Sequence, residues 1–240
     1  MAPFLTARWR QLAMLNYRVD PATLRALVPR GTELDDFRGD HFVSVVGFLF
    51  LGTKVRGVPV PFHRDFEEVN LRFYVRREAR DELRRGVAFV KELVPRRAIA
   101  WLARALYNEN YVALPMRHRI SPADEAPRAD SVRYAWQLGA HWHTLSLEAE
   151  AQSAAAAADS EERFITEHYW GYARQRDGGT VEYQVEHPPW SVSHAIRASL
   201  EANVEQLYGT AFAPLLQGAP ASAFLADGSA VAVHQGRRVA

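Results

Sequence analysis

The stretch Phe66-Glu-Glu-Val-Asn-Leu-Arg-Phe-Tyr-Val75 alternates between apolar and polar side chains. Every second residue from Val69 to Val75 is apolar, and the residues of the other parity are Glu68, Asn70, Arg72 and Tyr74. A period of two is typical of a β-strand whose two faces meet different surroundings. The polar face has two interpretations: it lines the cavity of a barrel, or it is a solvated face with cross-strand ion pairs.

Further stretches rich in β-branched and aromatic residues predict that strands make up most of the chain. Phe42–Phe50 is apolar on both parities, so we expect this strand to be buried on both faces. The other predicted strands are Val87–Val90, Tyr111–Arg119, Ser131–Leu138, Trp142–Ala151, Thr166–Arg174, Thr180–Glu186 and Val231–Val233.

Three segments have the helical spacing of apolar residues or a helix-start signal. They are Pro21–Val28 behind the N-cap residue Asp20, Arg96–Tyr107 behind Pro95, and His194–Tyr208 before Gly209. The alanine-rich run 152–160 is predicted to be a flexible connection. Many short strands with about three helices indicate a mainly β (α+β) protein, in which residues 1–240 form one antiparallel barrel or curled sheet with the helices outside.

The composition excludes several classes of function. A net charge of +1 over 240 residues argues against a nucleic-acid partner, and the arginine-rich stretch Arg72–Arg104 is interspersed with acidic residues. Without cysteine the chain has no disulfide and no thiolate chemistry. No apolar segment is long enough to cross a membrane, so we expect a soluble, cytoplasmic protein with no membrane partner. Assembly into a homo-oligomer stays open.

Only two of the 29 basic side chains are lysines, Lys54 and Lys91. Lys91 ends an apolar strand shortly before Pro95-Arg96-Arg97. A desolvated lysine near cations can lose its proton and form a Schiff base with a carbonyl compound. The alternative is a strand-end lysine that reaches water and pairs with Glu92 or another acid.

The segment His141-Trp-His143-Thr-Leu-Ser-Leu-Glu148 has the spacing of the cupin His-x-His-x4-Glu metal motif. In one uninterrupted strand, however, Glu148 has the opposite parity to both histidines and points away from them. We therefore expect packed or lumen-lining histidines, and we predict no metal or other cofactor.

Four aromatic residues in the second half of the chain have two interpretations: they line an apolar pocket, or they belong to an ordinary barrel core. They are Trp170, Tyr172, Tyr183 and Trp190.

Several longer motifs occur together: FEEVNLRFYV, GVAFVKELVPRRAIAWLARALYNENYVALPM, FITEHYWGY, EHPPW and SAFLADGSAVAVHQG. In this combination the chain resembles the bacterial YqjF-like proteins of the DUF2071 family, over nearly its whole length. The resemblance implies the acetoacetate decarboxylase-like fold, a curled antiparallel β-barrel that encloses a cavity.

The same resemblance bears on mechanism. Acetoacetate decarboxylases carry Pro-Lys-Lys where this chain has Pro95-Arg96-Arg97, and one of those lysines forms the Schiff base. Arginine stays protonated and cannot form the imine, and Lys91 lies four residues before Pro95. The family's strand carboxylate would correspond to Glu67 or Glu68. The resemblance therefore implies the barrel without Schiff-base decarboxylase activity.

Together these observations predict a barrel that binds a small-molecule ligand. The candidate catalytic residues are Glu68 and Lys91, and the candidate ligand-binding residues are Asn70, Arg72 and Arg97. An enzyme acting on a carbonyl or carboxylate compound is one interpretation. The alternatives are a non-catalytic binding protein and a cupin-like metal-binding protein.

Overall fold

Strands dominate the computed structural model, which describes residues 2–61, 63–80, 82–96, 110–122 and 129–239. The strands are β1 (Leu5–Arg18), β2 (Glu33–Leu34), β3 (Phe42–Val55), β4 (Val58–Pro59), β5 (Phe66–Glu78), β6 (Leu83–Val94), β7 (Tyr111–Ala113), β8 (Met116–Pro122), β9 (Ala129–Leu138), β10 (His141–Ala149), β11 (Ala154–Ala155), β12 (Trp170–Arg174), β13 (Thr180–Glu186), β14 (Ser191–Glu201), β15 (Ser222–Ala226), β16 (Ala230–Val233) and β17 (Arg237–Val239). The helices of the described residues are α1 (Pro21–Leu24), α2 (Glu161–Thr166), α3 (Val204–Tyr208) and α4 (Ala213–Leu216).

Seven of these strands close into a barrel in the order β1-β3-β5-β6-β12-β13-β16, and β16 pairs again with β1. Six of the seven seams are antiparallel, whereas β6 and β12 run parallel and share only the pairs Gly86–Trp170 and Gly171–Val87. The predicted mainly β, curled and largely antiparallel barrel is confirmed.

Strand β1 belongs to the barrel and also to a second sheet. Its first half pairs with β16 and its second half with β15, and the strand bends at Gln11, where φ is 55°. From β15 the second sheet continues through β14, β10, β9 and β8. The hydroxyl of Tyr134 on β9 donates to the Gln11 carbonyl at 2.7 Å, which ties this outer sheet to the bend.

Strand β5 separates two apolar cores. Val69, Leu71 and Phe73 pack with Tyr134 and Trp136 of the outer sheet, whereas the other parity of β5 faces the barrel interior. Strand β3 likewise contributes to both cores, and all residues from 42 to 50 are buried. The expectation that this strand is buried on both faces is confirmed.

The first predicted helix is confirmed in a shorter form. Helix α1 spans Pro21–Leu24, and the Asp20 carboxylate accepts from the Ala22 amide at 2.8 Å as its N-cap. The predicted helix Arg96–Tyr107 lies almost wholly outside the described residues. Helix α2 was missed, although Ser160 caps it and Glu161 and Glu162 fill its first turn.

The prediction of a helix over His194–Tyr208 is wrong for its first half. Residues 191–201 form β14, which pairs with β10 and β15, and only Val204–Tyr208 is helical. Pairing with β10 outweighs the helical propensity of this alanine- and glutamate-containing stretch. The run 152–160, expected to be a plain connection, also contributes a short strand, β11, at Ala154–Ala155.

Candidate functional site

The barrel encloses a cavity of about 160 Å³, lined by residues from all seven barrel strands. A single water needs roughly 10–15 Å³ by this measure, so the space fits a small organic molecule. The cavity is also lined by Tyr111 of β7, Thr166 at the end of α2, His168 between α2 and β12, and His187 between β13 and β14. The cavity is therefore the lumen of the barrel.

Glu68, Asn70 and Arg72 line this cavity from strand β5. Their exposed fractions are 3%, 1% and 9%, so the polar face of the strand is not a solvated face. Tyr74, the next residue of that parity, is buried further along the strand, and its hydroxyl lies 2.7 Å from Ser44 Oγ. The structure brings together three of the five predicted site residues.

Glu68 is held by two hydrogen bonds. Asn70 Nδ2 donates to Glu68 Oε1 at 2.9 Å, and the Tyr111 hydroxyl donates to Glu68 Oε2 at 3.2 Å. Burial raises the pKa of Glu68 to about 7, against the smaller opposing effects of these two bonds and of the Arg72 charge. The carboxyl group can therefore accept or donate a proton close to neutral pH.

Arg72 is a buried cation with unused hydrogen-bonding capacity. Arg72 Nη2 donates to the Ile165 carbonyl at 3.3 Å, and among the described residues no carboxylate lies within ion-pair distance of its guanidinium. Arg72 Nε and Asn70 Oδ1 are both buried without a hydrogen-bond partner in the described part of the chain. An anionic or carbonyl ligand would supply such partners.

A β-bulge in β6 decides which of its side chains reach the cavity. Leu71 pairs with Lys91, but the next residue, Arg72, pairs with Phe89, so Val90 is the extra residue. Val87 and Phe89 line the cavity; beyond the bulge the parity changes and Glu92 lines it instead. Sequence alternation alone would have turned Lys91 inward, which is why Glu92 was missed.

Lys91 is not among the cavity-lining residues. Its Nζ donates to the carbonyl of Leu207 in α3, on the other side of the β6 wall. Partial burial lowers the pKa of Lys91 from its ordinary value. Arg97 lies outside the described residues, and Arg96, next to it, is exposed.

Because Lys91 is held outside the barrel lumen, we expect no Schiff base between Lys91 and a keto acid. Incubation with pyruvate and sodium borohydride, followed by peptide mass spectrometry, should show no reduced adduct on Lys91. The exposed Lys54 reports nonspecific reductive alkylation in the same digest. An adduct on Lys91 in clear excess over Lys54 would contradict this placement.

The structure also turns a buried histidine toward the cavity that the sequence did not single out. His168 lines the cavity, and its Nε2 lies 3.5 Å from Oδ2 of Asp35, whose side chain is 0% exposed. The two residues are far apart in the chain and belong to no recognisable motif, so no sequence pattern could have joined them.

One end of the cavity is aromatic. Phe50 stacks on Phe66 with ring centroids 4.7 Å apart, and Trp9 contacts Phe50 edge-on at 5.7 Å and Trp190 at 6.3 Å. Phe66 precedes Glu68 on β5, so these rings extend the site past its polar groups.

Of the four aromatics singled out from the sequence, three line the cavity. These are Trp170, Tyr183 and Trp190. Tyr172 instead packs in the apolar core that contains Val69 and Leu71 of β5. Trp190 stacks on His187 at 4.1 Å between ring centroids and donates to Ser229 Oγ at 2.9 Å. The pocket interpretation therefore holds for these three side chains.

The cupin-like segment does not form a metal site. His143 is buried and accepts from the Asn203 amide at 3.3 Å, whereas His141 and Glu148 are exposed. His143 and Glu148 thus lie on opposite faces of β10, as their parity predicts. Within the described ranges no group of three or more His, Asp or Glu side chains has metal-binding geometry.

None of the helices in the described part of the chain is both long and apolar enough to cross a membrane.

Two comparisons place the sequence among known proteins. The model of the DUF2071 family, described as an uncharacterized conserved protein, matches residues 6–230. The uncharacterized protein YqjF of Bacillus subtilis (strain 168) is 27% identical over 192 residues, which cover 78% of this chain and 74% of YqjF.

Solved structures share the fold at low sequence identity. The enduracididine biosynthesis enzyme MppR, complexed with the condensation product of pyruvate and imidazole 4-carboxaldehyde, has a TM-score of 0.69 and 14% identity, and the match covers 99% of this chain and 90% of MppR. Acetoacetate decarboxylase from Legionella pneumophila has a TM-score of 0.68 and 13% identity, with coverage of 100% and 88%. The chain thus has the acetoacetate decarboxylase-like fold that the sequence predicted.

Proposed function

This chain belongs to the DUF2071 family, and from that premise we propose that its barrel binds a small carboxylate or carbonyl compound and acts on it as an enzyme without a Schiff base. Arg72 and Asn70 bind the polar group of the ligand in this proposal, and Glu68 exchanges a proton with it. Lys91 takes no part, because its side chain contacts Leu207 outside the lumen.

The proposal rests on the burial of Arg72 without a carboxylate at ion-pair distance among the described residues. A buried guanidinium without a carboxylate at ion-pair distance pays a desolvation cost that a bound anion would offset. Arg72 and Asn70 line the same cavity, and each has a buried side-chain atom without a hydrogen-bond partner among the described residues. Charge-assisted hydrogen bonds of this kind contribute about 1.5–3 kcal/mol each.

Glu68 supports a catalytic interpretation over a passive one. A carboxyl group whose pKa is about 7 is populated in both protonation states at neutral pH, as a general acid or base requires. A site that only bound an anion would gain nothing from an adjacent carboxyl group that becomes negative as the pH rises.

The aromatic residues that line the cavity favour a ligand with a hydrocarbon part. The aromatic end formed by Trp9, Phe50 and Phe66 continues from the polar groups, so the acid or ketone end of the ligand would lie at Arg72 and its hydrocarbon part beside the rings. MppR has been solved with pyruvate. A 2-oxo acid combines the carboxylate and the carbonyl that this site favours.

Calorimetric titration with pyruvate, 4-methyl-2-oxopentanoate and the neutral pyruvamide tests the binding site. We expect Arg72→Gln to weaken binding of both acids at least tenfold, about 1.4 kcal/mol, because it removes the buried positive charge. Pyruvamide binding should change much less. Arg133→Gln is the matched control, since Arg133 is exposed on the outer sheet and, within the described ranges, its side chain donates a hydrogen bond to Ser146 Oγ.

Two results would overturn the proposal. One is the absence of millimolar binding by either acid to the wild-type protein. The other is an equal affinity of the Arg72→Gln and Arg133→Gln proteins, which would place the ligand away from Arg72.

A further inference from the structure

Asp35 and His168 form a buried acid–histidine pair at the wall of the cavity. The His168 side chain is 2% exposed and the Asp35 side chain 0%. Asp35 Oδ2 lies 3.5 Å from His168 Nε2, within ion-pair distance but outside hydrogen-bond geometry. Catalytic contacts of this kind often shorten only when a ligand binds. The proposed role of Glu68 does not use this pair.

Asp35 is fixed in place and kept charged. Its Oδ1 accepts from the Asp36 amide at 3.1 Å, and its own amide donates to the Tyr74 carbonyl at 3.0 Å. Arg85 Nε lies 3.3 Å from its Oδ2. Burial would raise the pKa of Asp35, but His168, Arg85 and the Asp36 amide together hold that pKa below its ordinary value.

This geometry favours one tautomer of His168. A charged carboxylate beside Nε2 favours the form in which Nε2 carries the proton, and Nδ1 then keeps its lone pair. Both ring nitrogens are buried, and neither has a hydrogen-bond partner among the described residues. Burial, with the Arg72 and Arg85 charges, lowers the pKa of His168 below its ordinary value against the opposing effect of Asp35, which favours the neutral ring.

His168 lies beside the proposed anion site. Arg72 donates to the carbonyl of Ile165, three residues before His168. The rings of Tyr74 and His168 are 4.7 Å apart between centroids, and Arg72 Cζ lies 5.7 Å from the same Tyr74 ring. The titratable and charged groups around the imidazole are Asp35, Arg85, Arg72 and Tyr74, and Phe164 packs edge-on against its ring at 5.0 Å between centroids. Both His168 and Arg72 line the cavity.

We propose that His168 Nδ1 is the base that removes a proton from the carbon next to the carbonyl of a 2-oxo acid held by Arg72, with Asp35 as the positioning residue. The inference rests on the proposed function and names its reaction class, the enolisation of a 2-oxo acid. A neutral histidine oriented by a buried carboxylate is a suitable base for such a step at neutral pH.

The proposed proton transfer involves only the 2-oxo acid and side chains of this protein. The C3–H bond of the 2-oxo acid breaks, its proton forms the Nδ1–H bond, and its electron pair becomes the C2–C3 double bond of an enolate. The negative charge moves to the C2 oxygen, where Arg72 and protonated Glu68 can stabilise it. Return of a proton, or of a deuteron in D2O, regenerates the ketone and neutral His168.

The tautomer is tested first, without a ligand. In a long-range ¹H–¹⁵N spectrum of the full chain at pH 7.5, we expect His168 to show a protonated Nε2 and an unprotonated Nδ1. Loss of the peak in His168→Gln assigns it, and in Asp35→Asn the tautomer preference should weaken or reverse. A wild-type His168 protonated at Nδ1 would overturn the inference whatever the ligand.

The reaction is tested by hydrogen–deuterium exchange at C3 of pyruvate and 4-methyl-2-oxopentanoate, followed by proton NMR in D2O. Wild-type protein should accelerate the exchange, and the rate should fall at acid pH as His168 is protonated. His168→Gln should lower the rate at least 100-fold, the size expected of general base catalysis, and Asp35→Asn at least tenfold. His194→Gln, at an exposed histidine of β14, should have no effect.

The outcomes separate the two proposals, since calorimetric binding is measured on the same samples. Binding that depends on Arg72 without exchange, or with equal exchange in His168→Gln, overturns the enolisation and leaves the binding site standing. No binding overturns both. If His168→Gln does not fold, two other measurements decide. A wild-type His168 that is protonated at Nδ1 at pH 7.5 overturns the inference, and so does an exchange rate that Asp35→Asn leaves unchanged.

Discussion

Replacing Glu68 with Gln should stabilise the protein at pH 8 by up to about 3 kcal/mol and change little at pH 4.5. The pKa of Glu68 rises from 4.5 to about 7 on folding. Between these values the folded state binds more protons than the unfolded state, so wild-type stability falls as the pH rises through this window. Each pKa unit corresponds to about 1.36 kcal/mol. Glutamine resembles the protonated acid and removes the loss.

Urea denaturation of both proteins at pH 4.5, 6 and 8 measures this effect. Glu148→Gln serves as the control because Glu148 is exposed on the outer sheet, and it should leave the pH dependence of stability unchanged. A Glu68→Gln protein less stable than the wild type at pH 8 would show that the ionised carboxylate stabilises the fold. That result would also remove the basis for proton exchange by Glu68.

Gly86→Ala should destabilise the protein by about 3 kcal/mol, the upper part of the range for overpacked cores. Gly86 lies at the parallel seam that closes the barrel. A Cβ there would lie 2.5 Å from the Trp170 carbonyl oxygen and 2.6 Å from Tyr172 Cε2. One of these atoms is backbone, so the methyl group must push β6 and β12 apart.

Denaturation midpoints and the slope of unfolding in urea measure this change. Gly218→Ala is the matched control, since a Cβ there would make only an ordinary 3.4 Å contact with the Leu215 carbonyl oxygen. It should stay within about 0.5 kcal/mol of the wild type. If Gly86→Ala also lowered the free energy of unfolding by no more than about 0.5 kcal/mol, strands β6 and β12 would be able to move apart with little loss of stability.

The mainly β fold could be predicted because β-branched and aromatic residues mark its strands, and because β5 alternates between apolar and polar residues. The period of two along β5 places Glu68, Asn70 and Arg72 on one face, and the structure turns that face into the lumen. The period leaves open whether a polar face meets solvent or a cavity. That depends on which strands close the barrel. The strand pattern predicted a barrel or curled sheet, and the family resemblance added the enclosed cavity.

The bulge in β6 limited the prediction of the site. One extra residue, Val90, reverses the parity of the strand, so Glu92 faces the cavity and Lys91 faces α3. Nothing in the composition of 87–94 distinguishes a bulged from a regular strand. The misassigned helix over the residues of β14 has a similar cause, because pairing partners far along the chain outweighed local propensity.

The Asp35–His168 pair lies beyond sequence reasoning for a different reason. Each residue follows its own element, and only the packing of α2 against the barrel brings the two together. Tyr111 reaches Glu68 in the same way, from β7 beside β6. Such contacts are set by tertiary structure, which a single sequence encodes without a local pattern.

The bend of β1 at Gln11 has a consequence for how the protein unfolds. Because a single strand supplies hydrogen bonds to the barrel through β16 and to the outer sheet through β15, neither sheet can peel away without leaving an unpaired edge on the other. The amide hydrogens of β1 should therefore be among the slowest to exchange. The outer sheet thus stabilises the wall of the cavity although none of the cavity-lining residues belongs to β8, β9, β10, β14 or β15.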